Sequence, residues 1–148
     1  MWTKAAVRIL RLPRRDQLLL AEALLFLGLA RFGTVFVPFR RFARLLGCPR
    51  AESAVELTPA QLTHARRIRW AVVIISRHTF WHSSCLVQAI AAQLMLKRRR
   101  IPSTLYLGVA KNDDQDLIAH AWVRSGHAIL TGAPDHGQFT VVSTFAIE

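Results

Sequence analysis

Hydrophobic positions divide the chain into a helical first part and a second part in which a helix gives way to short strands. Leu18 to Val37 is a nearly unbroken apolar run of about 20 residues, just enough to span a bilayer. Glu22, Arg31 and two glycines interrupt it, and charge at membrane depth is costly, so a buried or interfacial helix is the better reading. Asp16 is expected to cap that helix near Gln17, and Pro38 marks its end. The basic residues 1–15, broken by Pro13, read as a lead-in. Gly47-Cys48-Pro49 predicts a turn. Thr58-Pro59 is an N-cap followed by proline at the first helical position. The helix it starts runs to about Ile75, with Leu62, Ala65, Ile68, Ala71 and Val72 on one face.

From residue 76 the pattern changes. Ser83 or Ser84 can cap a helix whose apolar stripe is Val87, Ile90, Ala91, Leu94 and Met95, the spacing of a helix packed on one side. Ile101-Pro102 closes it. Strands are then expected at Thr104–Ala110, Leu117–Arg124, His127–Thr131 and Phe139–Ala146, with Ser125-Gly126 as a hairpin turn. The fold class is therefore α+β: a helical region over 1–67, then a helix and a small antiparallel sheet over 68–148.

Charge adds a constraint. The 148 residues carry 20 Lys and Arg against 9 Asp and Glu, net +11, which points to an anionic partner or surface. The one dense block, Lys97 to Arg100, reads first as a solvated helix end complementing the helix dipole, and second as a docking surface for an acidic peptide or partner. A hydrophobic content of 52% builds a core without disulfides. Two cysteines, and nothing resembling a cleavable signal peptide, make a reducing cytoplasm the expected compartment.

Cys85 stands at the start of its helix and outside the apolar stripe, where a structural cysteine would sit. Backbone N–H groups there favour a thiolate and can hold an oxyanion. His120 lies mid-strand between Ala119 and Ala121. A satisfied core histidine is the commoner meaning of such a residue, but a helix-opening cysteine followed by a strand histidine is the layout of a Cys–His pair. A third group should orient the imidazole. Counting from a Ser125-Gly126 turn puts Thr131 opposite His120; the nearest acid downstream, Asp135, is the candidate orienter. Cys48 reads as a small buried hydrophobe. His78, His82 and Cys85 lack the second ligand pair of a zinc site, so no metal and no cofactor is expected.

Trp81-His82-Ser83-Ser84-Cys85-Leu86, Arg100-Ile101-Pro102 with Leu105–Val109, Ala119-His120-Ala121-Trp122-Val123, Ile129–Gly132 and Phe139–Val142 together resemble a known family. It is that of the transglutaminase-like B proteins of lasso-peptide biosynthesis, in the form where the peptidase is a separate short chain. The resemblance implies a papain/transglutaminase-like core and a cysteine peptidase that removes the leader of a ribosomally made precursor. It makes Cys85 the nucleophile and His120 the general base and then acid. The implied partners are the precursor leader and a small leader-binding companion protein, with the macrolactam-forming cyclase a further candidate and no nucleic acid. The family's usual third member is an aspartate after the histidine strand; Thr131 and Gly132 stand where the hairpin count puts it, which leaves Asp135 or a Cys–His dyad. The basic surface would dock the companion or an acidic precursor stretch, and the apolar first helix the cyclase or a membrane. Two other classes compete: a non-catalytic basic adaptor, and a transglutaminase-like acyltransferase or amidase on another substrate.

Overall fold

A computed structural model describes residues 2–133 and 135–148, with Trp2 and Asp135 described by backbone alone. The basic lead-in is itself helical: α1 covers Trp2–Leu10. Pro13, not Asp16, precedes the long helix α2, Arg14–Phe36. A proline fixes its own φ near the helical value and is at home where N–H groups have no partner anyway. Asp16 falls in the first turn instead, and its carboxylate accepts from Arg67 at 2.6 Å. Val37 is extended ahead of Pro38, as a residue before proline must be, and α3, Phe39–Ala43, doubles back. Gly33 permits that return, since a Cβ there would stand 2.6 Å from the Phe42 ring.

Helix α4, Pro59–Ser76, opens with a full capping box: the Thr58 hydroxyl accepts from the Gln61 N–H, and the Gln61 side chain accepts from the Thr58 N–H. Helix α5, Cys85–Arg98, opens at Ser84, whose hydroxyl accepts from the Val87 N–H. Its apolar stripe predicted packing on one side; Val87, Ala89, Ile90, Ala91, Ala92, Gln93, Met95 and Leu96 are all buried. The reason is its place: α2 and α4 cover one side and the sheet the other. Gln93, fully buried, is satisfied from both directions. Its amide donates to the carbonyls of Leu46 and Phe145 at 2.9 and 3.0 Å, and its oxygen accepts from Ser103 at 2.8 Å.

The sheet is antiparallel throughout, in the order β1-β5-β2-β3-β4, with β1 Cys48–Pro49, β2 Ser103–Lys111, β3 Leu117–Ser125, β4 Ala128–Thr131 and β5 Thr140–Ile147. The expected turn at Gly47-Cys48-Pro49 is thus a two-residue edge strand, and Cys48 is exposed on it rather than buried. Gly47, at φ +121°, presses so close to the Ala146 carbonyl that no side chain fits. The β3–β4 turn is Gly126-His127, one residue later than predicted, with Gly126 at φ +59°. A bulge after Val123 then moves Thr131 opposite Val123, not opposite His120. Alternation sends Leu105, Ala121 and Val123 into the core shared with α5, and Tyr106, His120 and Trp122 to the other face.

The Lys97–Arg100 block is mostly bonded to the fold. Arg99 grips both oxygens of Glu22 on α2 at 2.7 and 2.6 Å, Arg98 lies 3.2 Å from the same carboxylate, and Lys97 donates to the Leu45 carbonyl. That hydrogen bond to Arg99 is the main cause holding the Glu22 carboxyl below its ordinary range, against a smaller opposing effect of burial.

Candidate functional site

Cys85 is the first residue of α5, half-buried against the core. The segment before it is tied down by side chains. Thr79 donates to the Trp81 carbonyl at 3.0 Å and shares a 2.8 Å hydrogen bond with Ser83; Gln88 reaches back to the Ser83 carbonyl at 2.9 Å. Trp81 lays its ring over Gly28 of α2, 3.8 Å from where a Cβ would stand. With Ser84 serving Val87 and the Ser84 carbonyl taken by the Gln88 N–H, the N–H groups of Cys85 and Leu86 have no partner within the helix. Two donors and a dipole end therefore sit beside the sulfur.

His120 lies on β3, paired with Gly108 of β2. Its ring stacks on Phe139 at 4.8 Å and on Trp122 at 5.9 Å, and Trp122 in turn stacks on Tyr106. Gly108 leaves room for this cluster: a Cβ would come within 2.8 Å of the Trp122 ring. The imidazole Nε2 is 2.8 Å from the Gly132 carbonyl. A carbonyl only accepts, so Nε2 carries the proton and, in the neutral ring, Nδ1 keeps its lone pair. Gly132 itself sits at φ +81°, where a Cβ would meet the Ala121 carbonyl and the Trp122 Cβ at 2.6 Å and His120 Nε2 at 3.0 Å.

Of the expected residues, Cys85 and His120 sit on packed neighbours, α5 and β3. The His120 ring, however, lies on the sheet face away from the core shared with α5, and no hydrogen bond joins it to Cys85 among the described residues. Gln88, one turn after Cys85, and Gly132, the support of His120, line one cavity of about 430 Å³, together with Arg69, Arg77 and Thr131. Asp135 opens a short 3-10 turn, Asp135–Gln138, packed on β3; its side chain lies outside the described residues. Among those residues no group of three His, Cys, Asp or Glu side chains is placed to hold a metal ion. The residue that sequence reasoning passed over is Gly132, because a main-chain carbonyl leaves no side-chain signature. A glycine twelve positions after the histidine, where an acid was sought, was the available signal.

A family model described as the transglutaminase-like superfamily matches residues 33–144, from the end of α2 to within β5. The chain belongs to the transglutaminase-like superfamily. Its members are in general cysteine-protease-like enzymes, and the helices followed by a five-stranded antiparallel sheet are the α+β arrangement of such a core. Neither the curated proteins nor the solved structures hold a match to this chain.

Proposed function

We propose that the chain is a cysteine peptidase that removes the leader from a lasso-peptide precursor, working with a leader-binding companion protein. The observation that carries the chemistry is the 2.8 Å contact between His120 Nε2 and the Gly132 carbonyl: an oxygen that only accepts requires the proton on Nε2 and leaves the basic lone pair of the neutral ring on Nδ1. On this reading substrate binding brings His120 Nδ1 within reach of Cys85, and Nδ1 takes its proton as the sulfur attacks the scissile carbonyl. The N–H groups of Cys85 and Leu86 receive the developing oxyanion. The proton passes from His120 to the leaving amine, which frees the new amino terminus of the core peptide. Water, deprotonated by the same imidazole, then hydrolyses the thioester and releases the leader acid. Residues 68–148 would carry the reaction and residues 1–67 buttress it. Asp135 would support His120 beside, or in place of, the Gly132 carbonyl. The substrate assignment rests on the sequence resemblance, centred on the segments around Cys85 and His120.

The test is incubation of the purified chain with precursor and companion protein, read by mass spectrometry for released leader. Wild type and Cys48→Ala should release it, and Cys85→Ala and His120→Ala should not. Equal release by wild type and Cys85→Ala would refute a thiol mechanism. Transfer of the leader acyl group to an added amine in place of water would identify an acyltransferase. Charge reversal at the exposed Arg98 and Arg100, with Arg99 kept to hold Glu22, that abolishes function while Cys85→Ala preserves it would identify an adaptor.

A further inference from the structure

Helix α2 is apolar on two opposite faces, and only one of them is used by the fold. Leu19, Leu20, Ala23, Leu27 and Ala30 are buried against α4 and α5. Leu18, Leu25, Leu29, Phe32 and Phe36 project the other way, each at least half exposed. At 100° per residue these five fall within an arc of about 60°, and they run for about 27 Å along the helix. From Leu18 to Phe36 the only charged residues are Glu22, sealed by Arg98 and Arg99, and Arg31. The stripe continues toward the candidate site, because Trp81 lies over Gly28 and carries Phe80, which is 90% exposed, against its edge.

The charges around the stripe say what kind of surface it meets. Arg11, Arg14 and Arg15 are exposed at one end and Arg40, Arg41 and Arg44 at the other, and none of the six has a carboxylate partner among the described residues. The first 51 residues hold just two acids, Asp16 and Glu22, and both are taken up by arginines of α4 and α5. A second copy of the chain would set arginines against arginines in either orientation, since both ends of the stripe are cationic. A flat anionic surface with an apolar interior complements both parts at once.

We propose that the outer face of α2 is a docking surface for an anionic phospholipid membrane, on which the helix lies in the plane of the interface. It lies on the bilayer rather than across it. The opposite face is part of the protein core, and Glu22 ties the helix to α5, so insertion would dismantle the fold. Docking brings the loop before Cys85 to the lipid surface through Phe80 and Trp81. This goes beyond the peptidase reading and does not depend on it.

The experiment is cosedimentation of the full chain with vesicles of phosphatidylcholine, alone or mixed with phosphatidylglycerol. Binding is expected to the mixed vesicles, at least about tenfold weaker to phosphatidylcholine alone, and weakened by salt. Leu25→Glu with Leu29→Glu should lower it by at least about tenfold while leaving the far-ultraviolet circular dichroism unchanged, since both side chains are exposed. Arg14→Glu with Arg15→Glu should remove the preference for anionic lipid; glutamates suit a first helical turn, so this variant keeps its fold. Failure to bind the mixed vesicles, or undiminished binding by the Leu25/Leu29 variant, overturns the proposal. So does a dimer in lipid-free sedimentation that this variant makes monomeric, because a second copy then covers the face.

Discussion

His120 donates its Nε2–H to the carbonyl of Gly132 across 2.8 Å, and Gly132 can be there only because it lacks a Cβ. The position usually given to a side-chain acceptor is filled by main chain. Three properties of one glycine are joined: its φ of +81°, its closeness to Trp122 and the direction of its carbonyl.

Gly132→Ala should therefore act on both stability and turnover. The methyl group would collide with backbone and side chain at 2.6 Å in a conformation that L-residues rarely adopt. A loss of about 1–3 kcal/mol is expected in denaturant unfolding. Leader release, measured at a temperature where the variant remains folded, should fall by at least about tenfold because the imidazole loses its support. Full activity in a destabilised variant would show that the carbonyl does not position His120.

The two thiols should separate cleanly. Cys48 is exposed on a two-residue edge strand, and Cys48→Ser should change stability by less than about 0.5 kcal/mol. In that variant iodoacetamide can reach only Cys85, and loss of leader release should follow its alkylation mole for mole by mass spectrometry. Activity that survives complete alkylation of Cys85 would remove it from the chemistry.

Gln93 joins layers that the backbone alone leaves separate. Gln93→Leu keeps the volume of the side chain roughly constant but strands the Ser103 hydroxyl and the carbonyls of Leu46 and Phe145 in the core. A cost of about 3 kcal/mol or more is expected in chemical denaturation. A near-neutral result would mean that water enters to replace the amide.

Glu22 makes stability depend on pH in a definite direction. Its folded carboxyl is depressed, chiefly by the hydrogen bond from Arg99, so the unfolded chain binds a proton more readily. The contribution is present above the ordinary carboxylate range and is lost as pH falls through the folded value. Discounting for partial exposure, Glu22→Gln should cost about 1–2 kcal/mol at neutral pH and flatten the acid limb of the stability profile. Parallel acid limbs in wild type and variant would contradict this linkage.

Local chemistry made much of the molecule legible from the sequence. Thr58-Pro59 and Ser84 cap the helices expected of them, Pro38 stops α2, and the four main strands begin and end within a residue or two of their apolar alternation. These features are set by neighbours in the chain, so their signals are short-range. Cys85 at a helix start and His120 mid-strand are legible for the same reason. Other features depended on partners far away in sequence. Cys48 becomes a strand residue because β5 lies beside it, and α5 is buried all round because α2 and α4 close over it. The arginine block is anchored by Glu22, 77 positions from Arg99. The hairpin register depended on a turn set one residue later and on a bulge, neither of which periodicity records. The sequence by itself determined most of the elements and where Cys85 and His120 stand in them. Tertiary structure decided what supports His120, because a carbonyl belongs to every residue and only packing selects the one that is used.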